Sequence, residues 1–402
     1  MGERKKRILI LANSSSGLLE FRGELIKALS EQGYEVSASL PELEEKERLE
    51  KLGCRVIHTL FARKGMNPFK DYGLLRTYKR LVKENRPAVV LTYTIKPNIY
   101  GGMACAALKV PCFANITGLG SALENPGLLG KLAAFLYRMG LKKDAVVFVQ
   151  NPSNREFVLN RRLAKEEQVR LLPGSGVNLE HFALLPFPSD VEGLPDASSA
   201  QAAPDSRELT GTGTSPRFGT ETEAAGFLFV SRVMKEKGIE EFLTAAKKLK
   251  AEQPQHTFTI LGACEEDYSE QLAGLVHSGV IEYPGKVPDT RPYLEKAQCQ
   301  VHPSFYSEGM SNVCLEAAAS GRAVITTDHP GCREAVVEEV SGYLVKPRDA
   351  AALENAMRAF LALSHEERRA MGLAGRKHME EHFDRRIVVN EYLEMIRSLK
   401  NC

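Results

Sequence analysis

Several familiar signals are missing from this 402-residue sequence. Its eight cysteines (54, 105, 112, 264, 299, 314, 332 and 402) include no Cys-x-x-Cys pair and form no metal-type cluster with histidine. That is the pattern of free thiols in a reducing cytosol rather than of a disulfide framework. Charge of one sign is also missing: 53 Lys and Arg stand against 51 Asp and Glu, a net charge of +2. Such a balance argues against a chain that binds nucleic acid as a whole. Long apolar runs are absent too. Behind the basic start Met1–Arg7, the run Ile8–Ala12 is only five residues. A signal peptide needs a longer stretch and a membrane span about 18 or more. The expectation is a soluble or peripheral protein. Dinucleotide and phosphate loops fail as well. Gly118-Leu119-Gly120 continues to Leu123 where a third glycine belongs, and Gly130-Lys131 has Asn125 and Leu132 at its other two required positions.

What is present is an ordinary globular composition, 43% hydrophobic and 26% charged, in a chain long enough for two or three domains at about 150 residues each. Short β-branched runs alternate with gaps long enough for helices. Strands are expected at 7–13, 34–39, 55–60, 88–93, 111–114, 145–150 and 168–172. A second set follows at 226–231, 257–262, 280–283, 299–302, 323–327 and 342–345. Strands that alternate with helices need crossover connections, which give parallel sheets covered on both faces. The expected fold is therefore α/β, two Rossmann-like domains in tandem, spanning 1–185 and 226–378. Between them, nineteen of the 40 residues of 186–225 are Pro, Gly, Ser or Thr, too few apolar groups to offset ordering. A disordered linker insertion is expected there. After residue 378, Glu380–Lys400 reads as a C-terminal helix that packs back on the first domain.

Two stretches carry the chemistry. In Ser304–Gly321, Glu308 and Glu316 flank seven residues, and a helix is expected to begin near Met310. Its first amides would present a positive end to whatever lies above the sheet, and the Glu316 carboxylate would accept hydrogen bonds from sugar hydroxyls. In Ser231–Gly238, Arg232 and Lys237 follow a clean strand, where ligands bind in such sheets. They supply a planar fork and a point charge suited to a diphosphate; surface charge is the plainer alternative.

These residues resemble the donor site of glycosyltransferase family 4, retaining enzymes of the GT-B fold. Gly174–Asn178 with Phe182, and Gly342–Val345, agree. The first half is similar to the bacterial branch that extends undecaprenyl-diphosphate-linked oligosaccharides. Its marks are Asn13–Gly17 with Phe21-Arg22, then Arg63–Pro68, Thr92–Gly101 and Asn115–Gly120.

The resemblance implies that Arg232 and Lys237 hold the nucleotide diphosphate and Glu316 the ribose. It implies that Glu308, with the backbone of Gly309, Met310, Ser311 and Asn312, holds the donor sugar, and that Val287 lies near the base. Gly17 would let the first loop approach the phosphates. Glu308, Arg232 and Lys237 are thus the candidate catalytic residues. The family's usual histidine after the fourth strand is absent. Thr94, Lys96, Asn98 and Thr117 are the polar candidates for the acceptor side; His58 and His302 read as structural. No Asp-x-Asp motif is present to hold magnesium, so no metal and no cofactor are expected beyond a nucleotide-sugar donor, UDP-linked. The implied partner is a polyprenyl-diphosphate-linked glycan, and no nucleic acid. The stretch 125–144 sets Leu128, Leu129, Leu132, Phe135, Leu136 and Met139 beside Lys131, Arg138, Lys142 and Lys143. It reads either as a membrane-contacting helix at the inner face of the cell membrane or as an ordinary buried surface helix. A nucleotide-sugar epimerase of the same fold and a non-catalytic scaffold of glycan assembly are the alternative functions.

Overall fold

The computed structural model describes residues 6–61, 68–118, 123, 127–188 and 224–399. Thirteen strands within them form two sheets, and every strand pairing is parallel. The first sheet contains β1 (Arg7–Leu11), β2 (Glu35–Leu40), β3 (Cys54–His58), β4 (Val89–Tyr93), β5 (Cys112–Ile116), β6 (Val146–Val149) and β7 (Val169–Leu171). Its spatial order is β3-β2-β1-β4-β5-β6-β7. The second contains β8 (Gly226–Val230), β9 (Thr257–Leu261), β10 (Glu282–Gly285), β11 (Cys299–His302), β12 (Ala323–Thr327) and β13 (Gly342–Val345), ordered β10-β9-β8-β11-β12-β13. Central strands such as β4, β5 and β12 are buried along their whole length, because helices cover both faces. Each expected run is a strand in the structure.

In each sheet the order reverses once, between β1 and β4 and between β8 and β11. Loops that leave adjacent strands in opposite directions open a crevice at that point, where ligands bind in such sheets. Gly17, Thr94, Arg232, Lys237 and Glu308 fall in the segments that follow those strands, whereas Thr117 follows β5 and Val287 follows β10.

Two boundaries differ from expectation. Glu380–Lys400 is not one helix: the helix His365–His382 stops, and a new one, Arg385–Ser398, starts after Asp384. The reason is a crossing between lobes. Phe383 O accepts from Val177 N at 2.8 Å and Arg385 N donates to Val177 O at 3.0 Å, which takes these groups out of a helical ladder. The last helix then buries Val388, Tyr392, Leu393 and Ile396 in the core around β1, β2 and the helix Ser15–Glu31. The start of the linker also differs. Phe187 is buried under the Arg322 guanidinium, whose Nη2 donates to Pro186 O at 2.6 Å, so packed structure continues past residue 185. The remainder of that segment, 189–223, lies outside the described residues, as do 63–67 of the first-lobe motif, Leu119, Gly120 and Asn125.

Candidate active site

The second lobe builds its half from two loops. After β8 the chain passes Ser231 and Arg232, then makes a tight turn at Lys235–Lys237 and reaches Gly238 at φ +78. A Cβ at Gly238 would stand 2.2 Å from Pro303 O, so only glycine lets this turn press against the loop that follows β11. The pressing buries Lys237 and delivers its Nζ to the Glu308 carboxylate as an ion pair. The Tyr306 ring lies under both cations, 4.6 Å from Lys237 Nζ and 5.5 Å from the Arg232 guanidinium carbon. Arg232 is half-exposed and tethered outward to Glu265 at 2.8 Å. Burial pushes the Lys237 ammonium down to about 8.

Beyond Glu308 the chain enters the helix Asn312–Ala319. Ser311 precedes it without capping it, and its side-chain oxygen has no partner, so the opening amides are free to meet an anion. Glu316 projects from the second turn into the same cleft. Burial pushes its carboxyl up to about 7, with the neighbouring Glu20 adding to the shift and Arg385 opposing it. Arg232, Lys237, Ser307, Glu308, Gly309, Met310, Ser311, Asn312 and Glu316 thus line one cleft of about 730 Å3.

The first lobe closes that cleft with Glu20, Phe21, Thr94, Ile95, Thr117 and Gly118. Contact between lobes is direct. Asn151 Nδ2 donates to Gly309 O at 2.7 Å and to Glu308 O at 3.2 Å, and a Cβ at Gly309 would stand 2.2 Å from Gln150 Oε1. Glycine at 309 is therefore required by the approach of the two lobes. Thr94 ends β4 at φ +74, an uncommon conformation for threonine, with its hydroxyl buried and unpartnered. A smaller cavity of about 280 Å3 opens behind it, lined by Gly17, Arg22, Tyr93, Thr94, Gln150 and Ser175 among others. A Cβ at Gly17 would meet nothing closer than 3.6 Å, so packing does not require glycine there; its N–H already donates to Ser14 Oγ at 3.2 Å.

Three expected residues sit elsewhere. Lys96 is buried and donates to Asp71 at 2.8 Å, which removes it from the acceptor side. Asn98 is buried between Thr92 Oγ1 and Asn115 O, holding β4 and β5 together beneath the cleft. Val287 packs against the apolar cluster of Leu294 and Val336, and Thr290 rather than Val287 lines the cleft from that loop. His302 is buried on the cleft floor with neither ring nitrogen paired, and desolvation pushes its pKa down to about 3. It brings a ligand atom within 4.8 Å of Glu308 and Cys332, although Lys237 already occupies the Glu308 carboxylate. Sequence spacing gave no sign of that grouping. Asn151 was missed as well, its local signal being Asn151-Pro152 at a helix start, where Asn151 Oδ1 accepts from Asn154 N at 2.7 Å; Arg22 stood in the Phe21-Arg22 mark but was given no role.

Two parallel-sheet lobes, with a cationic pair and an uncapped helix end on one and a loop set carrying Glu20 on the other, have the architecture of a GT-B glycosyltransferase. A family model described as glycosyl transferases group 1 matches residues 224–362, and a glycosyl transferase 4-like domain matches 16–174. Together the two models cover most of the chain, which is a glycosyltransferase. It is 28% identical over 402 residues to N,N'-diacetylbacillosaminyl-diphospho-undecaprenol alpha-1,3-N-acetylgalactosaminyltransferase of Campylobacter jejuni, covering 98% of this chain and 100% of that protein. Among solved structures, a glycosyltransferase from Rickettsia africae superposes with a TM-score of 0.76 at 17% identity, over 99% of this chain and 100% of the other. Anabaena Alr3699/HepE, solved in complex with UDP, gives 0.74 at 16% identity, over 98% and 100%. At those identities the two structures speak for the fold.

Proposed function

We propose that this enzyme moves a sugar from a UDP-linked donor to a polyprenyl-diphosphate-linked glycan, with retention of anomeric configuration. The observation that carries the donor half is the convergence of Arg232, Lys237, an open helix N-terminus and Glu316 on one cleft. The leaving group is a diphosphate, and stabilising its developing charge is the largest catalytic task. Arg232 and Lys237 answer that charge directly with the free amides at 312–314, so the proposal needs no metal. Glu316 accepts from the ribose hydroxyls, and Glu308 with the Gly309–Asn312 backbone orients the sugar. For retention, the acceptor hydroxyl attacks from the face the phosphate leaves, and the departing phosphate oxygen takes its proton. Lobe contact at Asn151 and Gly309 shields the anomeric carbon from water.

The acceptor half rests on the Campylobacter relative, whose name specifies an undecaprenyl-diphosphate-linked acceptor. A surface feature agrees with it. The helix Leu128–Leu141 exposes Leu128, Leu132, Phe135 and Met139, beside Lys131, Lys142 and Lys143. Arg138 does not join that set, since its guanidinium donates to Arg161 O and Arg162 O. No helix among the described residues is long and apolar enough to cross a membrane. Contact would be peripheral, at the inner face of the cell membrane.

The test is a panel of nucleotide sugars incubated with lipid-diphosphate acceptors and read by mass spectrometry. The expected product is one added hexose or N-acetylhexosamine from a UDP donor, α-linked by NMR. A product only from other nucleotides, a β linkage, or epimerised donor without transfer would each overturn the reading.

A further inference from the structure

The 280 Å3 cavity behind Thr94 contains a cation that no carboxylate among the described residues neutralises. Arg22 lies two turns into the helix Ser15–Glu31 and is 3% exposed. Its Nη1 donates to Phe21 O at 2.6 Å, while Nε has no hydrogen-bond partner. The guanidinium lies 5.0 Å from the centre of the Tyr93 ring and 5.9 Å from that of Tyr392. Among the described residues no carboxylate pairs with it. The nearby phenols outweigh burial and raise its proton affinity, so it stays charged.

Two hydroxyls line the same wall: that of Thr94, which has no partner, and that of Tyr93, itself 5% exposed, which lies against Arg22 and Tyr392. Buried polar groups are paired in the great majority of cases, and buried charges nearly always. Arg22 Nε and the Thr94 hydroxyl, both unpaired and facing one cavity, therefore indicate a ligand that completes them. The cavity lies at the β1–β4 reversal of the first sheet and shares Phe21, Thr94, Thr117, Met310 and Asn312 with the larger cleft, so its occupant would adjoin the donor sugar.

We propose that this cavity anchors the acceptor saccharide through an oxyanion that the sugar bears, a phosphate or a carboxylate, with Arg22 as its counter-charge and Tyr93 and Thr94 as donors. The proposal deepens the functional reading above and rests on the donor occupying the neighbouring cleft. It gives the first lobe an anion-recognition element separate from Arg232 and Lys237. A volume of this size suits a monosaccharide unit and not a nucleotide.

The probes are glucose 1-phosphate, glucuronate and glucose, titrated calorimetrically into the full chain with UDP at saturation. At least one anionic sugar is expected to bind about tenfold or more tightly than glucose, the scale of a charge-assisted hydrogen bond. Which of the two does so distinguishes phosphate from carboxylate. Arg22→Gln is expected to abolish the preference while leaving UDP affinity unchanged. Tyr93→Phe removes one of the two proposed hydroxyl donors, and a several-fold loss for the anionic sugar is expected, with thermal unfolding confirming that the variant is folded. Equal binding of all three sugars, an anionic sugar that displaces UDP, or an unchanged preference in a folded Tyr93→Phe would each overturn the proposal. Should UDP itself not bind, the donor reading falls, and the same titration without UDP still decides this one.

Discussion

The two lobes reach the cleft by the same construction, a parallel strand, a loop and a helix at the point where strand order reverses, yet they leave their helix ends in different states. In the first lobe the helix Ser15–Glu31 is already capped. Ser14 Oγ accepts from Gly17 N, and the Glu42 carboxylate accepts from Ser15 N at 2.8 Å. In the second lobe the helix Asn312–Ala319 has no side-chain cap. A helix end satisfied by its own chain has little left to offer an anion, whereas an open one is a binding site. On the function proposed above, equivalent topology leaves the second lobe a backbone site for a diphosphate, whereas the first lobe would offer side chains, with Arg22 as the cation facing its cavity.

The largest effects should follow from disturbing the second lobe. Arg232→Ala is expected to lower kcat/KM for transfer by about a hundredfold or more, the usual loss for one charge-stabilising donor. The half-exposed position of Arg232 predicts an unchanged melting temperature, and a steady-state assay with thermal unfolding checks both. Near-native transfer would remove Arg232 from the site and with it the contrast between the lobes.

A pH series sharpens the same contrast. Glu316 has its pKa raised to about 7, so its accepting carboxylate form is gained as pH rises through that value. Lys237 has its pKa lowered to about 8, so its charge is lost as pH rises through that one. UDP affinity should therefore rise from pH 6 towards 7.5 and fall again by pH 9, with the acid limb flattened in Glu316→Gln. Calorimetry across that range is the measurement, and a flat profile in the unaltered protein would contradict both assignments.

A smaller effect is expected at the junction. Asn151 caps its own helix and holds Glu308 O and Gly309 O across the lobes. Asn151→Ala should cost about 1–2 kcal/mol of stability, on the scale of a lost cap, and raise the donor KM without a matching fall in kcat. Least of all should change when 189–223 is replaced by a Gly/Ser stretch of equal length, since its composition offers little apolar surface. Transfer within twofold of the parent is expected, and a lost fold would refute the linker reading.

Strands were legible because buried parallel strands are continuous β-branched runs such as Val89-Val90-Leu91 and Ala323-Val324-Ile325. Glu308, Glu316, Arg232 and Lys237 were legible because each sits in a loop or helix turn directly attached to such a strand, so local spacing fixes its place. Lys96 and Asn98 lie in the helical turns after β4 and Val287 in the loop after β10, but their surroundings depend on distant groups: Asp71, Asn115 and the apolar cluster of Leu294 and Val336 respectively. Arg22 was hidden for the same reason. Nothing in Phe21-Arg22-Gly23 says that Tyr93 and Tyr392 will enclose it. The break at Phe383 was equally hidden, being dictated by Val177, some two hundred residues earlier.

That break has a bearing on biosynthesis. The Tyr392 ring lies tilted against Phe148 at 4.6 Å and its hydroxyl donates to Asn115, so residues from the final helix complete a core begun at β1. During translation the earlier sheet therefore keeps part of its apolar core uncovered until that helix emerges. The central core of the later lobe draws on no segment of the earlier one. Docking of the last helix should accordingly be a late step in the maturation of the lobe whose strands are made first.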